Sequence, residues 1–308
     1  MDYDNVNEAW RGKVTQLSLS DNLTIGGETA LSYHRFEGEF PNRPAVAMEV
    51  NDIYPADWLD CLKECIGDNN LKVPAQWASK CVKEYGADLI FLDMVGTHQD
   101  KQDLSPSAAK DTLNAVLSEV SLPVIIRPYG NHEKQNKVIT VCAQSATRQL
   151  VLGSATQENY RTFVAAALGG GHYLVAESPI DVNIAKQLNI LITQMNFPQE
   201  KIIMDPLTGG LGYGLEYTYS VMERIRLQTF SKDSMMSPPM ICCVGQEVWK
   251  IKEARAQDNN LGDQLQRCVN WEVTTAISLI LSGANIVVVR CPKSVKQIKA
   301  FIDSLYSE

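Results

Sequence analysis

Residues 202–227 read IIMDPLTGGLGYGLEYTYSVMERIRL and contain one complete strand–loop–helix unit. A short apolar strand ends at Asp205-Pro206, a loop with four glycines follows, and an amphipathic helix completes the unit. Glycine permits a positive φ and lets the backbone approach a flat or anionic ligand closely. A carboxylate and a glycine loop at the carboxyl end of a strand therefore predict one rim of a ligand site in an α/β fold.

The same pattern of an apolar strand followed by a helical segment recurs along the whole chain. Continuous apolar runs suit strands that are buried on both faces, as in parallel sheets. A helix–Gly-Ala–strand junction also occurs twice, as YGADLIFL near residue 85 and SGANIVVV near residue 282. Eight such units favour an α/β fold of the (β/α)8 TIM-barrel type over an open doubly wound sheet. The predicted strands are 46–50, 89–94, 124–129, 150–155, 173–178, 202–206, 240–245 and 286–290.

Several helix ends are predicted from local motifs. Ser178-Pro179-Ile180-Asp181 predicts an N-cap serine followed by proline at the first helical position. Ser294 and Gln297 predict a capping box. Pro74 is expected to open the first helix and Gly86 to close it.

The remaining segments are connections and an amino-terminal extension. Residues 17–36 alternate around Gly26-Gly27 and predict a hairpin that covers the bottom of the barrel. Residues 51–72 are expected to be irregular and residues 246–262 to form a long polar connection. The 308 residues suit one large domain, so we divide the chain into an extension with the hairpin over 1–40 and a TIM barrel over 41–308.

Composition excludes several classes of partner. The formal net charge is −8 without a basic cluster, which argues against nucleic acid and anionic membranes. The polar amino terminus does not suit a secretory signal, and no apolar run has the length of a membrane span. Eight scattered cysteines without a CxxC pair predict a reducing cytoplasm.

Two cysteine pairs need an interpretation. Cys61 and Cys65 would share a helix face and could bind a metal or cluster, although buried thiols acting as small apolar groups are the simpler interpretation. Cys242 and Cys243 are neighbours on a strand and point to opposite faces, so they cannot both line one site.

Polar side chains stand at the carboxyl ends of the predicted strands, where a barrel of this type places its site. Structural alternatives remain: Arg127 beside acids suits an ion pair, Asp205 before proline suits a turn cap, and the glycine loop suits a tight turn without GxGxxG spacing. The strand-end residues are Glu49, Asp52, Asp93, Arg127, Ser154, Glu177, Asp205 and Gln246.

Missing residue types narrow the chemistry further. No lysine stands at a strand end, which argues against a Schiff-base aldolase, and the four separated histidines disfavour a catalytic metal. The sequence also lacks GxSxG. The mouth is thus expected to offer carboxylates, one arginine, hydroxyls and glycines, which could hydrogen-bond a pterin or the amide-fringed edge of a corrin. We assign no catalytic residue and no metal ligand.

Long stretches of the chain resemble the small-subunit family of the corrinoid/iron–sulfur protein of the reductive acetyl-CoA pathway, also described as delta-subunit-like in acetyl-CoA decarbonylase/synthase. The resemblance covers most of the chain in order, and 1–30, 94–115 and 127–149 diverge. The stretches are FEGEFPNRPAVAMEVNDI (36–53), KCVKEYGADLIFL (80–92), QENY (157–160), SPIDVNIAKQLNILI (178–192), DPLTGGLGYGLEYTYSVMERIRL (205–227) and ICCVGQEVWKIKEA (241–254).

The resemblance implies a dihydropteroate synthase-like barrel in a heterodimer. The larger subunit would carry both the iron–sulfur cluster and the corrinoid (cobalamin), and the barrel mouth of this chain would cap the corrin. A separate methyltransferase would deliver the methyl group of methyltetrahydrofolate to cobalt, and acetyl-CoA synthase would receive it. These two proteins and a reductive activator would be transient partners.

The resemblance also implies which residues contact the cofactor. The family's cofactor contact transfers most readily to the glycine loop, and after it to Asp205. Two positions depart from the family pattern: Ser154 stands where the family has an asparagine after the glycine that ends the fourth strand, and the loop from Arg127 to His132 also differs. The candidate cofactor-binding residues are Asp205, Thr208, Gly209, Gly210, Leu211, Gly212, Tyr213, Gly214, Ser154, Glu177, Asp93 and Gln246.

Two other functions fit the same residues. The chain could be a free-standing pterin-dependent methyltransferase in which Asp93, Glu177 and Asp205 bond the pterin ring. It could also be a non-catalytic module that only holds the large subunit together.

Overall fold

A two-stranded antiparallel hairpin precedes the barrel in the computed structural model, which describes residues 8–307. Its strands are β1 (Leu17–Ser20) and β2 (Leu23–Ile25). The hairpin is confirmed, but its turn lies at Asp21-Asn22 rather than at Gly26-Gly27. Gly26, at φ +79°, instead turns the chain away from β2, where a Cβ atom would meet the Thr15 carbonyl oxygen at 2.1 Å.

Eight parallel strands close into a barrel in the order β10-β3-β4-β5-β6-β7-β8-β9. This confirms the predicted (β/α)8 fold and all eight predicted strands, with shifts of a few residues at their ends. The boundary between extension and barrel at residue 41 stays a prediction. The strands are β3 (Ala45–Asn51), β4 (Leu89–Met94), β5 (Val124–Pro128), β6 (Val151–Ala155), β7 (Tyr173–Glu177), β8 (Ile202–Asp205), β9 (Met240–Cys242) and β10 (Ala284–Val289).

The strands are apolar throughout because both of their faces are buried. One face packs against the helices, and the other fills the barrel interior together with Leu17, Leu19 and Ile25 of the hairpin. The hydroxyl of Tyr173, the first residue of β7, donates a hydrogen bond to the Ser18 carbonyl oxygen at 2.6 Å. The hairpin therefore covers the amino-terminal end of the barrel, as predicted, and leaves the carboxyl ends of the strands as the open mouth.

Helices alternate with the strands. No helix among residues 8–307 is both long and apolar enough to cross a membrane. The helices are α1 (Asp60–Ile66), α2 (Pro74–Lys83), α3 (Pro106–Glu119), α4 (His132–Ser145), α5 (Tyr160–Gly170), α6 (Val182–Thr193), α7 (Leu215–Phe230), α8 (Val244–Val248), α9 (Lys252–Arg255), α10 (Gln264–Leu281) and α11 (Pro292–Leu305).

Two predicted helix starts are wrong. The N-cap of α6 is Asp181 rather than Ser178, because the Asp181 carboxylate accepts hydrogen bonds from the backbone N–H groups of Asn183 and Ile184. Helix α11 begins at Pro292, so Ser294 is a buried residue of the first turn and not an N-cap.

Short helices lie in the segment predicted to be irregular and in the segment predicted to be a long polar connection, and α1 carries both Cys61 and Cys65, as expected. Residues 51–72 include α1, so Pro74 opens the second helix rather than the first. Residues 246–262 include part of α8 and the whole of α9. Both segments lie at the mouth of the barrel, where they follow β3 and β9.

Candidate functional site

A hydrogen-bonded cluster of four side chains forms the floor of the mouth. Parallel register places Asp93 of β4 beside Arg127 of β5. The Arg127 guanidinium donates to both Asp93 oxygens, with Nε–Oδ1 at 3.0 Å and Nη2–Oδ2 at 3.1 Å. The Tyr129 hydroxyl and the Gln246 amide also donate to Asp93 Oδ2, at 3.1 and 2.8 Å. Asp93 thus already has several donors, and Arg127 has the structural ion pair anticipated for it.

Two members of this cluster, Arg127 and Tyr129, are each kept in one protonation state. Although burial opposes the charged form, the Asp93 carboxylate raises the pKa of Arg127 well above its ordinary value. Burial, followed by the charge of Asp93, raises the pKa of Tyr129 well above its ordinary value. Arg127 is therefore a permanent cation and Tyr129 a neutral donor, which suits a structural floor better than a proton-transfer site.

A second ion pair, which the sequence interpretation missed, joins the first and last strands of the barrel. Arg290, just after β10, donates to Glu49 of β3 with Nε–Oε2 at 3.0 Å and Nη2–Oε1 at 2.7 Å. Glu272 of α10 accepts the backbone N–H of Arg290 at 2.8 Å. The mouth thus contains more than the one arginine that the sequence predicted. Arg290 is the last residue of the predicted strand IVVVR, and this strand-end position could have identified it as a residue of the mouth.

Glu177 and Asp205 form a pair of neighbouring acids. They are directly opposite each other in the register of β7 and β8. Burial, followed by the charge of Glu177, raises the pKa of Asp205 to about 7. Asp205 Oδ1 accepts the backbone N–H of Leu207 at 2.9 Å, so the predicted turn cap is also present. Near neutral pH Asp205 is therefore able both to bind and to release a proton.

The glycine loop after β8 is built by close backbone contacts. At Gly209, a Cβ atom would lie 2.3 Å from the Gly214 carbonyl oxygen, so the loop closes on itself there. Gly212 and Gly214 have φ values of +76° and +97°, which favour glycine. Gly210 accepts the backbone N–H groups of Tyr213 and Leu215 at 2.8 and 3.2 Å.

Side chains from two helices hold this loop. The Thr218 hydroxyl of α7 accepts the Gly209 N–H at 2.8 Å and donates to the Leu207 carbonyl oxygen at 3.2 Å. From α10, Trp271 Nε1 donates to the Leu211 carbonyl oxygen at 2.8 Å and Thr275 Oγ1 accepts the Leu211 N–H at 3.3 Å. Sequence reasoning did not find the two supports from α10, because their contacts with Leu211 span 60 residues or more.

The outer edge of the loop is exposed and partly apolar. Tyr217 is 65%, Tyr213 44% and Leu207 39% exposed, and Ile180 of the neighbouring β7–α6 loop is 38% exposed. Gly212 is exposed as well, and a Cβ atom built on it would meet nothing within 4 Å. We call Ile180, Leu207, Gly212, Tyr213 and Tyr217 the exposed rim. It leaves backbone and apolar side chains on the surface, where a ligand or partner could reach them.

The other predicted site residues have separate positions. Ser154, in β6, is bonded through its backbone: the Asn159 side-chain amide donates to the Ser154 carbonyl oxygen at 3.3 Å. The buried hydroxyl oxygen of Thr208 has no hydrogen-bond partner within the described residues. The structure thus brings together Asp93 with Gln246, Glu177 with Asp205, and residues 208–214 in one loop.

A cavity of about 520 Å³ opens beside the floor, at the ends of β3, β4, β9 and β10. Of the predicted site residues, Gln246 lines it, together with Asn51, Trp58, Trp249 and Arg290. Arg290 stacks on Trp58, 4.5 Å from the ring centroid. The cavity and the glycine loop therefore follow different strands of the mouth.

All eight cysteines are free thiols: Cys61 and Cys65 are half-buried, and the other six are buried. The thiol of Cys243 faces Arg127 and Asp205, whereas the thiol of Cys242 contacts Met222 of α7, so the pair faces opposite sides as predicted. Among residues 8–307, no group of three or more histidine, cysteine or acidic side chains could hold a metal ion.

Sequence comparison gives one consistent family. The profile described as CO dehydrogenase/acetyl-CoA synthase delta subunit matches residues 14–301. The acetyl-CoA decarbonylase/synthase complex subunit delta of Archaeoglobus fulgidus is 31% identical, over 98% of this chain and 71% of that protein. The subunit of the same name from Methanocaldococcus jannaschii is 32% identical, over 95% of this chain and 70% of that protein.

Several solved structures with the same fold are dihydropteroate synthases. The Thermus thermophilus enzyme matches with a TM-score of 0.57 and 16% identity, over 91% of this chain and 100% of that chain. The Yersinia pestis enzyme matches with a TM-score of 0.56 and 15% identity, over 96% of this chain and 99% of that chain. At this identity the match establishes the barrel fold alone.

Proposed function

The chain belongs to the CO dehydrogenase/acetyl-CoA synthase delta subunit family, and from this premise we propose that its barrel mouth caps a corrinoid carried by a larger partner subunit. The partner would also carry an iron–sulfur cluster, and the two subunits would form a lasting heterodimer. When bound, the corrinoid supplies the cobalt that carries a methyl group from a methyl donor to acetyl-CoA synthase. This chain contributes a surface around that cobalt and no covalent chemistry.

The exposed rim is the observation that carries this proposal. A corrin is a large, flat ring with an apolar face and an amide fringe. Gly212 offers backbone without a side chain, and Leu207 and Tyr213 offer partly exposed apolar surface beside it. Asp205, whose pKa is raised to about 7, can hydrogen-bond an amide of the fringe, and Glu177 lies beside it. The chemistry of these residues therefore fits the group.

A cap of this kind has two tasks. It excludes water from the reactive face, and it moves aside because two different enzymes need the same cobalt. A loop held by a few hydrogen bonds from Thr218, Trp271 and Thr275 suits a small contact better than a tight clamp. The lasting interface with the large subunit would involve a wider area.

The hydrogen bonds at the floor of the mouth favour the proposed capping function over that of a pterin-dependent methyltransferase. Binding a pterin ring through Asp93 requires free carboxylate oxygens. Both Asp93 oxygens already accept hydrogen bonds from Arg127, and Oδ2 accepts two more from Tyr129 and Gln246. Glu177 and Asp205 remain as acids for such a ring, so binding of methyltetrahydrofolate by the isolated chain is the test of this second function.

Anaerobic co-purification tests the proposed function directly. We expect a corrinoid spectrum in a complex of this chain with one larger polypeptide, and no such spectrum in this chain alone. Tight binding of methyltetrahydrofolate by the isolated chain would favour the enzyme. If substitutions at the mouth change neither the corrinoid spectrum nor the turnover of the complex, the chain is the non-catalytic module that only holds the large subunit together.

A matched pair of glycine variants tests the rim. Gly212 and Gly86 both have positive φ, at +76° and +72°, and a Cβ atom at either would meet nothing within 4 Å. Gly212→Val and Gly86→Val should therefore strain the backbone to a similar extent, about 1–3 kcal/mol. We expect only Gly212→Val to reduce corrinoid occupancy or methyl transfer in the complex. Equal behaviour of the two variants would remove the loop from the proposed contact.

A further inference from the structure

Two cysteines that are distant in sequence meet behind the mouth cavity. Cys65 lies on the short helix α1, and Cys291 follows Arg290 at the end of β10. Their sulfur atoms are 3.8 Å apart, across 226 residues of sequence. Cys65 is half-buried and Cys291 is fully buried, so only the first of them is accessible to a reagent from solution.

The surroundings of the two thiols give them different reactivity. A hydrogen bond from the Cys291 thiol, supported by the charge of Lys293, lowers the pKa of Cys65 to about 7 despite partial burial. The neighbouring Cys65 sulfur and burial raise the pKa of Cys291 far above its ordinary value. Burial also raises the pKa of Cys61, one helical turn before Cys65. Cys65 is therefore the thiol that forms a thiolate near neutral pH, and Cys291 stays protonated beside it.

We propose that Cys65 and Cys291 form a thiol–disulfide exchange site that takes small disulfides. The Cys65 thiolate attacks one sulfur of the small disulfide, forms a mixed disulfide and releases one thiolate. The Cys291 sulfur then attacks the Cys65 sulfur and breaks its bond to the small group, which takes up the Cys291 proton and leaves as the second small thiol. Two protein thiols are thus oxidised to one disulfide while one small disulfide is reduced to two thiols.

The new bond would fix one wall of the cavity. A disulfide requires a sulfur–sulfur distance of about 2.05 Å, so the two segments must approach each other. Cys291 is held by the barrel, because Glu272 accepts its backbone N–H at 3.3 Å and that of Arg290 at 2.8 Å. The movement therefore falls on α1, whose Leu62 lines the cavity together with Trp58.

Oxidised glutathione is the probe for the test. The reduced, folded full chain is treated with it, free thiols are blocked, and the peptides are mapped by mass spectrometry. We expect a Cys65–Cys291 disulfide, formed with a rate that rises through about pH 7 as the Cys65 thiolate appears. Linkage at other cysteines, or unreacted Cys65 and Cys291, would overturn the proposal.

Three single variants separate the roles of the thiols. Cys291→Ser should accumulate a glutathione mixed disulfide at Cys65, because the second step is removed. Cys65→Ser should abolish the fast reaction. Cys61→Ser is the matched control from the same helix and should behave like the unchanged chain. A fast reaction that survives in Cys65→Ser, or disappears in Cys61→Ser, contradicts the assignment.

Discussion

Asp205 binds its proton more tightly in the folded than in the unfolded chain. Burial and the neighbouring Glu177 raise its pKa from 3.8 to about 7. The resulting stabilisation is complete below about pH 4 and is lost as the pH rises through about 7. In Asp205→Asn the amide oxygen still accepts the Leu207 N–H. The free energy of unfolding of Asp205→Asn, relative to the unchanged chain, should therefore increase from about pH 4 to about pH 7 and then stay constant.

Urea unfolding at several pH values measures this difference. Glu177→Gln is the companion variant, because it removes the neighbouring charge and leaves the burial of Asp205. It should lower the Asp205 pKa and move the pH-dependent range downwards without abolishing it. A difference between Asp205→Asn and the unchanged chain that is flat with pH would show that Asp205 is ionised in the folded protein.

The buried pair of Glu49 and Arg290 gives a second prediction for single residues. Glu49 is fully buried, so Arg290→Met leaves its charge without a partner. We expect the free energy of unfolding to fall by about 3–5 kcal/mol. The double variant Glu49→Leu with Arg290→Met removes both charges and should be more stable than Arg290→Met alone. Additive losses in a double-mutant cycle would contradict coupling between the two side chains.

At the scale of elements, the glycine loop depends on the helices beside it. Thr218 of α7 is fully buried and bonds both Gly209 and Leu207, so Thr218→Val removes two hydrogen bonds with little change in shape. We expect a loss of about 1–3 kcal/mol and faster hydrogen exchange at the Gly209 amide. Thr229→Val on the same helix is the control, because Thr229 bonds the Ile225 and Met236 carbonyl oxygens instead. It should leave the Gly209 amide unchanged.

Local motifs predicted strands better than helix starts. A buried strand is visible as an apolar run, because every residue of it faces the core or the helices. An N-cap is decided by which of several neighbouring polar side chains reaches a free N–H group. Ser178 and Asp181 compete in this way, and only Asp181 lies within reach of Asn183 and Ile184. Ser294 was predicted as an N-cap, but α11 already begins at Pro292, two residues before Ser294.

At the scale of the whole molecule, barrel closure determines which candidate residues meet, and this pairing could not be predicted from the sequence. The positions of the candidate residues at strand ends followed from the predicted fold. Their pairing did not, because it depends on register between elements. Closure places Val289 of β10 beside Met48 of β3, and this register brings Arg290 to Glu49 across 241 residues. The proposed cofactor contacts themselves stay predictions.

The exposed rim also makes a prediction for the assembly. Tyr217, 65% exposed, lies beside the glycine loop at the mouth. Phe36 is 70% exposed. The residue before it, Arg35, lies beside Ala284, the first residue of β10, so this segment is at the amino-terminal end of the barrel. Both rings are exposed, so replacing either by serine should change the stability of the isolated chain little. If the mouth faces the proposed corrinoid-carrying subunit, Tyr217→Ser should weaken the complex by about tenfold or more, because buried aromatic rings dominate such interfaces. Phe36→Ser should leave its dissociation constant unchanged, and the reverse result would place the partner at the opposite end of the barrel.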